Sequence, residues 1–185
     1  MISLRVWPMA AIAAGGLLAG LSLVSGRAQA GPKEVLASIQ PPKGHVLMFE
    51  LRAEGFQVYE CQPVAGRAGE YKWVLNAPDA VLYDEHGEKA GTHFGGPTWQ
   101  ADDGSKVVAV KAAAIQPPTG RAIPWLLLRA KSYEGNGVFA KVTYIQRLGT
   151  WAGVAPKTGA TKENVGKSIR VKYEATYRFY RASQD

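Results

Sequence analysis

The chain has 185 residues, of which 46% are hydrophobic, and its 22 basic and 15 acidic side chains give a formal net charge of +7. These values are typical of one globular domain and exclude a disordered, collagen-like or coiled-coil chain. The single cysteine excludes an intramolecular disulfide framework and any metal site built from several thiolates.

The first thirty residues have the pattern of a signal peptide. Arg5 supplies a positive charge, and an uncharged apolar stretch of about 16 residues follows over 9–24. Residues 28–30 (AQA) form a small-x-small site, so we predict a signal peptide over 1–30 and a single exported domain over 31–185. The apolar stretch is shorter than the roughly 20 residues of a membrane span, so an uncleaved anchor is the second choice. We expect a periplasmic or secreted protein without a transmembrane span after cleavage.

Cleavage would remove Arg5 and Arg27, leaving 20 basic and 15 acidic side chains and a net charge of +5. Outside the cytoplasm the natural anionic partners are cell-wall polymers, lipid headgroups and polysaccharides, so no nucleic-acid partner is predicted. No run of lysine or arginine marks a binding patch. A mixed, solvated surface is therefore the favoured interpretation.

The mature domain is predicted to be almost entirely β-strand. Residues 32–39 predict a short helix that begins at Pro32 and ends before Pro41. Beyond Gly44, apolar residues recur with a period near two and turn signals follow at short intervals. We predict strands over 45–52, 56–62, 71–76, 80–83, 91–94, 106–113, 124–132 and 138–147.

Three connections between these strands have turn chemistry. Residues 53–55 (AEG) and 133–137 (YEGNG) each predict a hairpin. Residues 84–88 (DEHGE) predict a polar turn in which Gly87 takes a positive φ.

The last strand shows the clearest alternation. Val171, Tyr173, Ala175, Tyr177 and Phe179 fall on one face, and charged or polar residues fall on the other. One buried and one wet face predict an antiparallel β-sandwich or a partly open β-barrel. No G-x-G-x-x-G sequence occurs, and no cofactor is predicted.

Four motifs occur in order along the mature chain. They are residues 91–99 (GTHFGGPTW) with 103–107, residues 124–128 (PWLLL), residues 142–148 (VTYIQRL) with Thr150 and 153–156, and residues 173–180 (YEATYRFY). Through these motifs the sequence resembles a family of exported proteins known as domain of unknown function 3455. The resemblance implies the domain type but no activity, catalytic residue or cofactor.

The resemblance also implies a second cysteine in some relatives, in the loop that matches Gly159 and Ala160, where it would pair with Cys61. This chain has alanine and threonine in that loop. We therefore predict that Cys61 is a small buried residue on a strand, because no histidine or arginine adjoins it to stabilise a thiolate.

The densest polar cluster contains His93, Asp102, Asp103 and Ser105 around Trp99. A histidine and a carboxylate together suit a general base or two metal ligands, but neither H-x-H nor H-E-x-x-H spacing occurs. The favoured interpretation is a turn in which the Asp103 carboxylate accepts backbone amides. No catalytic residue and no metal ligand is predicted.

Trp99 and Trp151 lie in segments rich in glycine and proline. Such a ring either plugs the end of the domain or stacks on a sugar or another flat ligand. We therefore assign ligand binding to His93, Trp99, Asp102, Asp103 and Trp151. The first hypothesis is a non-enzymatic exported protein that binds a small molecule, glycan or envelope component. The alternative is a hydrolase or metal-dependent enzyme centred on His93, Asp102 and Asp103.

Overall fold

The computed structural model describes residues 36–184. The predicted signal peptide, its cleavage site and the first half of the predicted helix over 32–39 lie outside the described residues. The described part contains no helix that is long and apolar enough to cross a membrane. Its elements are β1 (His45–Pro63), β2 (Tyr71–Tyr83), β3 (Lys89–Phe94), β4 (Thr98–Ala101), β5 (Lys106–Ile115), β6 (Trp125–Glu134), β7 (Tyr144–Ala152), a single 3-10 turn (Lys162–Asn164) and β8 (Ser168–Ala182).

The strands form one closed antiparallel barrel in which each strand pairs with the next along the chain. The barrel closes because β8 returns to β1 and pairs with it from His45↔Ala182 to Glu60↔Ser168. The predicted antiparallel all-β domain is therefore confirmed. Of the two predicted architectures, the partly open barrel is closer to the observed closed barrel than the sandwich is. Because the barrel is fully closed, no strand is a sheet edge along its whole length.

The predicted hairpin at 53–55 is wrong, because β1 runs through these residues without a turn. Gly55 is required there for a different reason. A Cβ atom on Gly55 would lie 2.2 Å from the Asp79 carbonyl oxygen and 2.5 Å from the Ala80 Cα. The glycine therefore allows β2 to approach β1 closely, a role that glycine often has inside strands. The predicted strands over 71–76 and 80–83 likewise form the single strand β2.

The predicted strand over 138–147 begins six residues later, at Tyr144. The residues before it form a connection over 135–143 in which Phe139 and Val142 are fully buried. Apolar residues in this segment therefore close one end of the barrel instead of extending a strand. The turn over 84–88 is confirmed, because the Asp84 carboxylate accepts hydrogen bonds from the His86 and Glu88 amides and Gly87 takes a φ of 81°.

The alternating connections define two ends of the barrel. The A end carries the connections 84–88, 102–105 and 135–143, and the B end carries the connections 64–70, 95–97, 116–124 and 153–167. Aromatic rings fill the barrel towards the A end, where Phe179 lies 5.0 Å from both Phe49 and Phe139 between ring centroids. The predicted inward face of β8 is confirmed, since Tyr173, Ala175, Tyr177 and Phe179 are all buried.

Candidate functional site

The predicted polar cluster is divided between the two ends of the barrel. His93 and Trp99 line a cavity of about 180 Å³ on the B side of the barrel interior, which we call the lumen cavity. Asp102 and Asp103 line a wider groove of about 690 Å³ at the A end, which we call the A-end groove. The strand β4 separates the two pairs, so the structure does not bring His93 and the two aspartates together in one cavity.

His93 is buried and neutral. Its side chain is 2% exposed, and Nδ1 lies 2.8 Å from the Thr98 carbonyl oxygen, to which it must donate its proton. Burial lowers the His93 pKa to about 3; the Thr98 carbonyl opposes this shift and the Arg147 charge adds to it. Nε2 therefore carries a lone pair at neutral pH. The ring stacks on Trp99 with a centroid distance of 4.3 Å.

Asp103 holds a turn together, as its favoured interpretation predicts. One carboxylate oxygen accepts hydrogen bonds from the Ser105 hydroxyl (2.6 Å) and the Ser105 amide (2.8 Å), and the other accepts from the Val138 amide (2.8 Å). These bonds lower the Asp103 pKa, the Ser105 hydroxyl most strongly. The bond to Val138 also ties the connection 135–143 to the turn, a link between residues far apart in the chain.

Four of the five carboxylates that line the A-end groove, those of Glu50, Asp84, Asp102 and Asp103, have hydrogen-bond or ion-pair partners. Asp102 lies 3.3 Å from the Lys89 ammonium group, and Glu50 lies 2.6 Å from the Arg178 guanidinium. Asp84 accepts the backbone amides of the turn described above. The groove has an apolar floor that includes Phe49 and Leu51, but four of its five carboxylates are engaged in structural contacts.

The lumen cavity draws its walls from seven of the eight strands. Its lining residues are Gln57, Leu75, Asn76, Pro78, His93, Gly96, Pro97, Trp99, Leu128, Arg147 and Tyr177. Leu75 and Asn76 are exposed and lie beside an irregularity in the β1–β2 pairing. They form the mouth of the cavity, together with the turn over 95–97.

Three buried hydrogen-bond donors among the lining residues have no partner. They are Gln57 Nε2, Trp99 Nε1 and the Tyr177 hydroxyl, on residues that are 1%, 0% and 1% exposed. Native proteins rarely leave such groups unsatisfied, because each costs about 1–3 kcal/mol of desolvation. Unpartnered donors around a cavity are the pattern expected where water or a ligand completes the hydrogen bonding.

Arg147 brings a positive charge to the same cavity. Its Nε donates to the Pro124 carbonyl oxygen at 3.0 Å, and no carboxylate of the described residues lies within ion-pair distance of it. Neither Arg147 nor Gln57 is among the site residues predicted from the sequence. The sequence pattern that points to Arg147 is the two-residue alternation along β7. Ile145 is buried in the core, and Arg147, two residues later, falls on the same inward face.

Trp151 does not belong to either cavity. It is 57% exposed on β7, opposite Glu174 of β8. Cys61 is free and buried, as predicted, and its Sγ lies 3.5 Å from the Thr161 carbonyl oxygen. The loop in which the resemblance implies a second cysteine therefore lies beside Cys61.

Within residues 36–184, no group of three or more histidine, cysteine, aspartate or glutamate side chains is placed to hold a metal ion. A family model described as protein of unknown function (DUF3455) matches residues 41–181. No curated protein and no solved structure matches the chain at a significant level.

Proposed function

The chain belongs to the DUF3455 family of proteins of unknown function, and we propose that it is an exported protein that binds one small molecule in the lumen cavity. The observation that carries the proposal is the set of three unpartnered donors, Gln57 Nε2, Trp99 Nε1 and the Tyr177 hydroxyl, on side chains that line a cavity inside a closed barrel. An eight-stranded barrel is wide enough to hold one small ligand.

The size of the cavity favours a small molecule over a polymer. A cavity of about 150 Å³ accommodates benzene, so about 180 Å³ suits a compact ligand with a single ring or a short branched chain. A glycan chain or another envelope polymer would instead need an extended open groove. In this proposal His93 and Trp99 keep the ligand-binding role predicted for them, while Asp102, Asp103 and Trp151 have none.

Ligand binding is tested by thermal denaturation of the mature protein against a library of compounds with about five to ten non-hydrogen atoms. A compound that binds only the folded state raises the melting temperature in proportion to the logarithm of its concentration. We expect at least one compound to do so, and confirmation by calorimetry at one site per chain. A library without any binder of this kind would refute the proposal.

The position of the site is tested by closing its mouth. Asn76→Trp places a large ring at the mouth of the lumen cavity, and Asn136→Trp places the same ring on an exposed asparagine of the A-end connection. We expect the first variant to lose binding and the second to keep it. Loss in both variants, or in neither, would place the ligand elsewhere.

Export is tested by mass spectrometry of the protein recovered from outside the cytoplasm. We expect a mature chain that begins at Gly31, because the apolar stretch is short and ends in the AQA site. A membrane-bound product that retains residues 1–30 would contradict this part of the proposal.

A further inference from the structure

We propose that the ligand of the lumen cavity is a small monocarboxylate, whose carboxylate pairs with Arg147 while its apolar body fills the rest of the cavity. This inference rests on the proposed function, because it specifies the chemistry of the molecule bound at the same site.

The Arg147 side chain points into the barrel. On β7, Gln146 is turned outward, where its amide donates to the Ile39 carbonyl oxygen of the N-terminal segment at 2.8 Å. Its neighbour Arg147 therefore falls on the inward face and lines the cavity. The bond from Nε to the Pro124 carbonyl holds the guanidinium in place and leaves its two terminal nitrogens for a ligand. A guanidinium presents paired N–H donors that match the two oxygens of a carboxylate.

Arg147 has no carboxylate counter-charge among the described residues. Burial raises the pKa values of Tyr59 and Tyr173 and lowers that of His93; the charge of Arg147 opposes the first two shifts and adds to the third, so it acts on three groups that surround the lumen. The Asp79 carboxylate also influences Tyr173, but it forms an ion pair with Arg170 at 2.7 Å. A partly buried cation without an anionic partner is costly. An anionic ligand would remove that cost.

The unpartnered polar groups of the lumen cavity are hydrogen-bond donors. Gln57 Nε2, Trp99 Nε1 and the Tyr177 hydroxyl have no acceptor, and a tryptophan N–H can only donate. A carboxylate is an acceptor-only group with room for several donors. The lining residues therefore supply the hydrogen-bond donors that a carboxylate can accept.

The lining residues favour a ligand with a single negative charge and an apolar body. His93 stays neutral at physiological pH, so Arg147 is the single cation among the lining residues, which suits one negative charge better than the two of a phosphate monoester. The remaining walls include Leu128, Pro97 and the ring of Tyr177, and they favour an apolar body.

The test compares acids with their own amides, which have nearly the same shape but no charge. The probes are benzoate with benzamide, isovalerate with isovaleramide, and cyclohexanecarboxylate with its amide, each titrated calorimetrically into the mature protein at neutral pH. We expect at least one acid to bind about tenfold or more tightly than its amide, since charge-assisted hydrogen bonds are roughly twice as strong as neutral ones.

Variants assign the effect to Arg147. Arg147→Gln should bind the acid and its amide equally, Arg147→Lys should restore part of the preference, and Arg129→Gln, on an exposed arginine of β6, should bind as the parent does. If Arg147→Gln does not fold, the comparison between the parent and Arg147→Lys decides. A preference that survives in Arg147→Gln, or that Arg147→Lys leaves entirely unchanged, would overturn the assignment.

Two outcomes separate this inference from the proposed function. If the amides bind as tightly as the acids, the carboxylate inference fails and small-molecule binding stands. If neither these probes nor the wider library binds, the proposed function fails as well.

Discussion

A neutral buried histidine makes the stability of this protein depend on pH. The His93 pKa is about 3 in the folded chain and about 6.5 in an unfolded one, so between these values only the unfolded chain takes up the proton. The free energy of unfolding should therefore fall as the pH decreases from about 6.5 to 3, by up to about 1.4 kcal/mol per pH unit. Urea titrations at several pH values on the parent and on His93→Gln would measure this, and parallel profiles of the two proteins would contradict it.

The two neighbouring aspartates should differ in their contribution to stability. Asp103 accepts three hydrogen bonds and ties Val138 to the turn, whereas Asp102 makes an exposed ion pair with Lys89. Exposed ion pairs contribute little. We expect Asp103→Ala to lower the melting temperature distinctly more than Asp102→Ala does in a scanning calorimeter. Equal shifts would mean that the turn does not depend on the Asp103 carboxylate.

The hydrogen bonds of Asp103 can be predicted from the sequence where the partner is a near neighbour in the chain. The turn at Asp103 was predictable because the Ser105 amide lies two residues away, a spacing that favours this hydrogen bond in any aspartate turn. The bond to Val138 spans 35 residues and depends on how the connection over 135–143 folds.

At the scale of the strands, Gly55 shows that glycine can be required by a close approach between strands as well as by a turn. We expect Gly55→Ala to destabilise the protein by more than about 3 kcal/mol, because the added methyl group would meet backbone atoms of β2 that cannot move aside. Gly87→Ala, at a φ of +81° with open space around it, should cost only about 1–2 kcal/mol. Chemical denaturation of both variants tests the contrast, and similar losses would place the constraint in backbone strain instead of strand contact.

The same residue explains an error in the predicted strands. Glycine after two small or polar residues is a good hairpin signal, so the sequence predicts a turn at 53–55. A turn and a close approach between strands both require a residue without a side chain. The sequence around Gly55 does not separate them, since the atoms it must avoid belong to Asp79 and Ala80.

For the whole molecule, closure of the barrel should govern the order in which backbone amides exchange with solvent. The seam between β1 and β8 runs from His45 to Glu60, whereas β3 and β4 are six and four residues long. Long ladders open less readily than short ones. Hydrogen exchange followed by mass spectrometry should show the slowest amides in the middle of β1 and β8 and faster exchange in β3 and β4. Exchange in β8 as fast as in β4 would show that the seam is a weak point.

The sequence by itself determined the antiparallel all-β class, the inward face of β8 and the turns at Asp84 and Asp103. These features follow from side-chain alternation and from hydrogen bonds between near neighbours. Only the tertiary structure decided that the sheet closes, that β4 separates His93 from Asp102 and Asp103, and that Arg147 meets Gln57 and Trp99 around one cavity. The physical reason is that each of these depends on the pairing and register of strands distant in the chain, which no local pattern specifies.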